Sequence, residues 1–132
     1  MDKMAVEELL KQNGIEEIEE IPYKKNLIVL RFYYDFDDDE IEAARAYAND
    51  ESGEDEEAEK WTEQFFLPYL SDISVDNVGE IIESVMETTG LAAQFISYDI
   101  DEEDYGYSEF IAVFAEDTEE IDIESIMDDL NL

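Results

Sequence analysis

Apolar residues recur at helical spacing most clearly in residues 75–89. Apolar positions separated by three and four residues lie on one face of a helix, so this pattern predicts an amphipathic helix. Ser74 has the side chain of an N-cap and Gly90 is typical of a helix end, so we expect these residues to bound the helix. The predicted apolar face is formed by Val78, Ile81, Ile82, Val85 and Met86.

Four other segments show a shorter helical pattern. One of them, residues 55–70, carries an aromatic face that we expect to lie in the core, and Pro68 should disturb its end. The pair Ser52 and Gly53 should break the chain before this segment. The four predicted helices are residues 2–13, 38–49, 55–70 and 119–130, and the aromatic face of the third is Trp61, Phe65, Phe66 and Tyr69.

Four segments favour strands because they are rich in β-branched and aromatic residues. Residues 26–36 are apolar on nearly both faces, which indicates a central strand. Residues 91–100 and 107–116 flank an acidic turn and predict a hairpin. Residues 15–23 are the weakest prediction, because their isoleucines recur every third residue rather than every second.

Together these elements predict an α+β fold with a mainly antiparallel sheet of about four strands and helices packed on it. The length fits a single domain formed by residues 1–132. The order helix, strand, strand, helix occurs in residues 1–50 and again in residues 74–132, which suggests two αββα halves joined by an acidic helical segment, residues 51–73. A duplication would explain this pseudo-repeat, although the residues of the two halves do not align convincingly.

The charge of the chain is very one-sided, with 40 acidic residues, seven basic residues and a formal net charge of −33. All seven basic residues lie in the first sixty positions, and residues 61–132 contain twenty acids and no base. A strongly charged chain is often disordered, but 45% of these residues are hydrophobic and 12% aromatic, which is enough for a core. We therefore expect a folded domain that self-repulsion destabilises and that salt or a cationic partner stabilises.

The residue types absent from the chain exclude several kinds of chemistry. Without histidine or cysteine there is no common general base, no disulfide, no thiol chemistry and no Cys/His zinc site. No nucleotide-binding or nucleophile motif occurs, and carboxylate pairs arise by chance among so many acids. We therefore predict no enzymatic activity and no cofactor. The sequence shows no signal peptide or membrane span, which favours a cytoplasmic protein, and its charge should repel membranes and nucleic acid.

Two acidic segments resemble calcium-binding loops only in part. In the segment DFDDDEIEAARA, Glu40 and Ala46 stand where an EF-hand loop requires glycine and glutamate. In the segment that starts at Asp101, Gly106 fits the sixth position but Ala112 occupies the twelfth. We interpret the first as a helix start and the second as a solvated turn, and we predict no metal site.

The density of acidic residues points to a basic protein as partner. Spread over a surface on the order of 7,000 Å², the net charge gives roughly one negative charge per 200 Å². This is about half the density of duplex DNA, so a face on which the acids cluster would match DNA. We predict a non-catalytic binding module of the inhibitor, immunity or nucleic-acid-mimic type, in which acids steer the encounter and tyrosines anchor it. The predicted partner-binding residues are Asp35, Asp37, Asp38, Asp39, Glu40, Asp55, Glu56, Glu57, Asp101, Glu102, Glu103, Asp104, Tyr105 and Tyr107, with Tyr33, Tyr34 and Tyr47 as weaker candidates.

The alternative is an acidic domain with no specific electrostatic partner. A high negative charge keeps a protein soluble and monomeric, and adaptation to high salt also produces an excess of acids. The conventional content of Ile, Phe and Tyr argues modestly against the high-salt explanation. The two hypotheses differ in whether the acidic segments adjoin in space, which the sequence does not decide.

Overall fold

The computed structural model describes residues 2–117 and 121–132 and shows an α+β fold, as the sequence predicts. The helices are α1 (Lys3–Gln12), α2 (Asp38–Ser52), a π-helical segment (Trp61–Phe66) that continues directly into α3 (Leu67–Thr89), and α4 (Ile123–Leu130). The strands are β1 (Ile18–Glu20), β2 (Ile28–Asp35), β3 (Ala92–Ser97) and β4 (Tyr107–Ala115). No helix among the described residues is long and apolar enough to cross a membrane.

The four strands form one antiparallel sheet in the order β1-β2-β4-β3. The strand predicted from residues 26–36 is central, and its partner β4 pairs with it over its full length. Both strands are apolar on the two faces because helices cover each face at least in part. The weakly predicted strand near residue 18 exists but is only three residues long and forms one edge.

The two faces of the sheet pack against different helices. On one face, α1 and α3 cover Leu30, Phe32 and Phe110, and the rings of Phe32 and Phe110 stack at 5.6 Å. On the opposite face, α4 places Ile126 against Val29, Ile111 and Val113. Because α4 is short, it covers only the end of that face where β2 begins. The other end of the face is left to half-buried side chains.

The helical region from residue 51 to residue 89 differs from the prediction. Two helices with a boundary at Ser74 were expected, but one continuous helical region runs from Trp61 to Thr89. Ser74 is fully buried inside it and donates a hydrogen bond to the Ser71 carbonyl at 2.9 Å, so the N-cap assignment is wrong. The predicted helical segment, residues 51–73, is also interrupted: Gly53 adopts a left-handed conformation (φ 69°) and ends α2, and residues 53–58 are not helical.

The π-helical segment explains how the helix accommodates proline. The Leu67 N–H bonds to the Thr62 carbonyl, five residues earlier, where an α-helix would bond to the residue four earlier. Proline lacks an N–H and clashes with the preceding turn of a regular α-helix. A widened turn immediately before Pro68 therefore lets the chain continue where the sequence predicts a disturbed helix end.

The order helix, strand, strand, helix is present twice, as α1-β1-β2-α2 and α3-β3-β4-α4. In space α1 and α3 share one face of the sheet, whereas α2 packs against the π-helical segment and α4 covers the opposite face. The predicted duplication stays a prediction. The last helix was expected from residue 119, but residues 118–120 lie outside the described residues, and α4 begins after its N-cap Asp122.

The Tyr34 side chain links three elements, β2, α2 and α3, on the face of the sheet that α1 and α3 cover. Its hydroxyl donates to Glu40 Oε2 at 2.7 Å, at the start of α2, and accepts from Asn77 Nδ2 at 2.7 Å, on α3. Burial and the hydrogen bond to Glu40 raise the pKa of Tyr34 to about 12. The folded state therefore favours the neutral phenol, and this contribution to stability is present below pH 10 and is lost as the pH rises towards 12.

We expect Tyr34→Phe to lower the free energy of unfolding by about 1–3 kcal/mol, because Asn77 and Glu40 each lose a partly buried partner. The variant should also lose less stability than the wild type between pH 10 and pH 12. Urea unfolding at pH 7, 10 and 12 measures both effects. Tyr47→Phe is the matched control, because Tyr47 is exposed and its ring lies 6.3 Å from the Phe65 ring and 5.0 Å from the Tyr69 ring. Equal pH profiles for the two variants would contradict the role given to Tyr34.

Candidate protein-binding surface

Two of the predicted acidic segments meet at one end of the sheet. The segment after β2 and the loop before β4 are joined by a hydrogen bond from the Phe36 N–H to the Gly106 carbonyl at 2.9 Å. Asp35 lies directly opposite Tyr107 in the β2–β4 ladder. The structure therefore answers the question that the sequence left open, because residues 35–40 and 99–107 are neighbours in space.

We name this region the acidic end of the molecule. It comprises ten carboxylates in two segments that contain no basic residue, and nine of them are exposed while Glu40 is half-buried. Such a gathering of like charge creates a strong negative potential outside the protein. The acidic end consists of Asp35, Asp37, Asp38, Asp39, Glu40, Asp99, Asp101, Glu102, Glu103 and Asp104.

Local hydrogen bonds fix the backbone that carries these carboxylates. Asp37 and Glu40 form a capping box, in which each side chain accepts a hydrogen bond from the other residue's N–H, at 2.8 and 3.1 Å. Acids in the first turn of α2 also interact favourably with the helix dipole. In the β3–β4 loop, the Asp101 side chain accepts from the Glu103 N–H at 2.9 Å. The first segment compared with a calcium-binding loop, DFDDDEIEAARA, is therefore a helix start, as the sequence analysis favoured.

The third predicted segment, Asp55, Glu56 and Glu57, is exposed and extends this surface. Arg45 connects it to the acidic end, because Arg45 Nε lies 3.9 Å from Glu56 Oε1 and Arg45 Nη2 donates to the Tyr105 hydroxyl at 2.6 Å.

Further along the chain, Glu59, and to a lesser extent burial and Glu102, raise the pKa of the exposed Glu63. The contribution of Glu102 places the Glu63 carboxylate near the β3–β4 loop.

A shallow cleft of about 380 Å³ opens beside the acidic end. Its apolar lining comes from Leu67, Pro68 and Ile100, while Glu63, Asp72 and Asp99 contribute carboxylates at its walls. No three acidic residues among residues 2–117 and 121–132 converge closely enough to hold a metal ion. An apolar floor with separated carboxylates instead suits a long cationic side chain, whose methylene stem is apolar and whose charged group is not.

The predicted tyrosines occupy different environments. Tyr107 is 37% exposed beside Asp35, and its ring meets the Tyr33 ring edge-on at 5.6 Å. Tyr105 is half-buried, because its ring packs edge-on against Phe66 at 5.0 Å. Of the rings assigned to the core, Trp61 and Phe66 are indeed buried.

The sequence analysis missed Tyr98, Glu109 and Arg31, which lie near the weaker candidate Tyr33. Tyr98 donates its backbone N–H to the Glu109 carbonyl at 2.9 Å, and Tyr33 pairs with Glu109 from the other side, so both tyrosines flank Glu109 on the face that α4 leaves uncovered. Burial, and secondly Glu109, raise the pKa of both phenols. Arg31 is on the same face, with its Nε 3.0 Å from Glu109 Oε2. The two-residue alternation places Arg31 and Tyr33 on one face of β2, but the strand pairing that brings Glu109 and Tyr98 beside them is not a local pattern.

Three of the seven basic residues lie at the opposite end of the molecule. Lys24 and Lys25 lie in the turn before β2, and β2 separates this turn from Asp35 by roughly 23 Å at about 3.3 Å per residue. Lys3 is also at this end, where its Nζ is 2.7 Å from Glu20 Oε1. These three lysines are therefore remote from the acidic end, whereas Arg45 borders it.

Comparison of the chain with protein-family models, curated proteins and solved structures found no match.

Proposed function

We propose that this protein is a non-catalytic binding module that docks its acidic end on a basic protein surface. The observation that carries the proposal is that two base-free acidic segments meet at one end of the sheet, beside a cleft with an apolar floor to whose wall Asp99 contributes. Clustered charge accelerates the encounter with an opposite charge, and a pocket provides the contacts that hold the complex. An arginine or lysine of the partner would enter the cleft, and the exposed Tyr107 ring would form an aromatic contact elsewhere on the partner.

Charge density favours a nucleic-acid-mimicking mode of binding. The accessible surface is 7865 Å² for a net charge of −33, an average of about one negative charge per 240 Å². The average is well below the roughly one per 100 Å² of duplex DNA, so only a local concentration of acids can imitate DNA. The acidic end provides that concentration. We expect the partner to be a protein whose basic surface also binds nucleic acid or another polyanion.

Competition with DNA tests the proposal. A lysine-rich histone bound to a fluorescein-labelled 20-base-pair duplex serves as the probe. We expect the wild-type protein to release the duplex at 100 mM NaCl. The triple variant Glu102→Lys, Glu103→Lys, Asp104→Lys, which changes exposed residues of the acidic end, should need about tenfold more protein for the same release, a difference of about 1.4 kcal/mol.

The matched control carries Glu80→Lys, Glu83→Lys and Glu87→Lys. These exposed residues are on the last turns of α3, which leads into the start of β3 at the end of the sheet away from the acidic end. Both triple variants have the same formal net charge, −27, because three reversals change −33 by six. The control should compete within about twofold of the wild type. Equal losses in the two variants would mean that net charge alone matters and would contradict the proposal.

One observation favours the alternative of an acidic domain without a specific partner. Exposed acids also occur away from the acidic end, among them Glu80, Glu83 and Glu87 on α3. Their presence fits a general role in solubility. The comparison of the two triple variants separates this alternative from docking.

A further inference from the structure

Strand β3 leaves one edge of the sheet unpaired. Within the described part of the chain, β3 pairs only with β4, and it is the last strand in the order β1-β2-β4-β3. All six of its residues are half-buried, so the strand is partly accessible to solvent. An open edge presents unused backbone donors and acceptors to solvent.

The outward-facing groups can be assigned from the ladder. Tyr98 donates its N–H to the Glu109 carbonyl, so Tyr98 and every second residue before it direct their backbone groups towards β4. The N–H and carbonyl groups of Ala93, Phe95 and Ser97 therefore point away from the sheet. Three residues with two groups each provide a row of donors and acceptors that matches an extended chain.

The β3 edge lacks the features that normally protect an edge strand. Natural edges are shielded by charged side chains, proline or bulges. The segment LAAQFISY, residues 91–98, contains none of the charged residues that make up 36% of this chain, and no proline. Its register with β4 is unbroken from Ala92 to Ser97. The opposite edge strand, β1, has only three residues, two of which are glutamates.

The charge of the protein determines which chain suits this edge. A second copy would bring another net charge of −33 against the first, which opposes pairing between two copies. An extended segment with lysine or arginine side chains has the opposite sign, and the acidic end begins at Asp99, two residues after the strand ends. A basic segment that pairs with β3 would therefore run directly into the acidic end.

We propose that β3 accepts an extended basic segment of the partner as a fifth strand of the sheet. Backbone hydrogen bonds to Ala93, Phe95 and Ser97 hold the segment, and the neighbouring carboxylates select its charge. This inference rests on the proposed function, because it takes the partner to be basic, and it adds where and how the partner's chain is bound.

Two synthetic peptides of ten residues test the edge, one alternating lysine and valine and one identical except that every backbone nitrogen is methylated. The two have the same charge, but the methylated peptide cannot donate its hydrogen bonds to a strand. We expect the unmethylated peptide to bind about tenfold more tightly. It should also slow hydrogen exchange at the amides of Ala93, Phe95 and Ser97 at least tenfold, measured by NMR at saturation, with no such effect from the methylated peptide.

Equal binding of the two peptides without protection of these amides would overturn the β3 proposal and leave docking at the acidic end intact. Protection of the same amides in the protein alone, increasing with its concentration, would show that a second copy occupies the edge and would also overturn the proposal. Failure of both peptides to bind would overturn it as well. The proposed function has its own test, since the histone competition does not depend on the β3 edge.

Discussion

Phe110→Ala should destabilise the protein more than any surface change, by about 3–5 kcal/mol. Phe110 is fully buried at the centre of the sheet, where its ring stacks on Phe32 and lies 6.0 Å from the Phe95 ring. Alanine would leave a cavity between the sheet and the helices α1 and α3. A domain of this size is usually stable by only about 5–15 kcal/mol, and self-repulsion reduces that margin here. We therefore expect the melting temperature to fall by about 10–20 °C.

Thermal unfolding followed by circular dichroism at 20 mM and 1 M NaCl measures the effect of Phe110→Ala. The control is Phe65→Ala, the same substitution at a half-buried ring that packs on the exposed Tyr47. The control should cost no more than about half as much, because less surface is lost from the core. Both variants and the wild type should melt at a higher temperature in 1 M NaCl, since salt screens the repulsion. Equal losses for Phe65→Ala and Phe110→Ala would contradict the position assigned to the core.

Local patterns in the sequence were sufficient to predict most of the fold. The helical spacing of Val78, Ile82 and Val85 identified three residues that are buried against the sheet. The apolar run around Leu30 identified the central strand. The glycine at residue 90 ends its helix in a left-handed conformation (φ 76°), as glycine does without steric cost.

The errors arose where tertiary contacts decide the local structure. Ser74 looks like an N-cap, but the surrounding apolar residues bury it in the middle of a helix, where its hydroxyl bonds to the Ser71 carbonyl. Pro68 resembles a helix end in the sequence. The widened turn that precedes it, and that lets the helix continue, cannot be recognised from composition. In both cases the buried cluster that contains Phe66 and Leu70 stabilises the helix past the end that local sequence signals predict.

The candidate site could be predicted as a set of residues but not as an arrangement. Acidic segments are visible in the sequence, whereas their proximity depends on the pairing of β2 with β4, which brings Asp35 opposite Tyr107. Pairing also determines that Tyr98 joins Tyr33 on one face, which no local pattern specifies. Tyr105 shows the converse, because its position in an acidic loop suggests exposure while the fold turns its ring towards Phe66.

The second large effect is expected in the rate of association with a basic protein. Electrostatic steering raises association rates to about 10⁸–10⁹ M⁻¹s⁻¹ at low salt, compared with 10⁵–10⁶ M⁻¹s⁻¹ without it. We expect the association rate of this protein with the lysine-rich histone, measured by stopped-flow fluorescence, to fall at least about 100-fold between 20 and 500 mM NaCl. The dissociation rate should change much less, because the proposed contacts in the cleft and at Tyr107 would be short-ranged. A nearly salt-independent association rate would show that charge does not steer the encounter.

The most direct test of docking by the acidic end compares the two triple variants in this association reaction at 20 mM NaCl. The variants have equal net charge, so any difference between them reports where the charge is placed. We predict that the variant at Glu102, Glu103 and Asp104 associates at least about fivefold more slowly than the wild type, while the variant at Glu80, Glu83 and Glu87 stays within about twofold. Equal association rates for the two variants would contradict the claim that the acidic end is the docking surface.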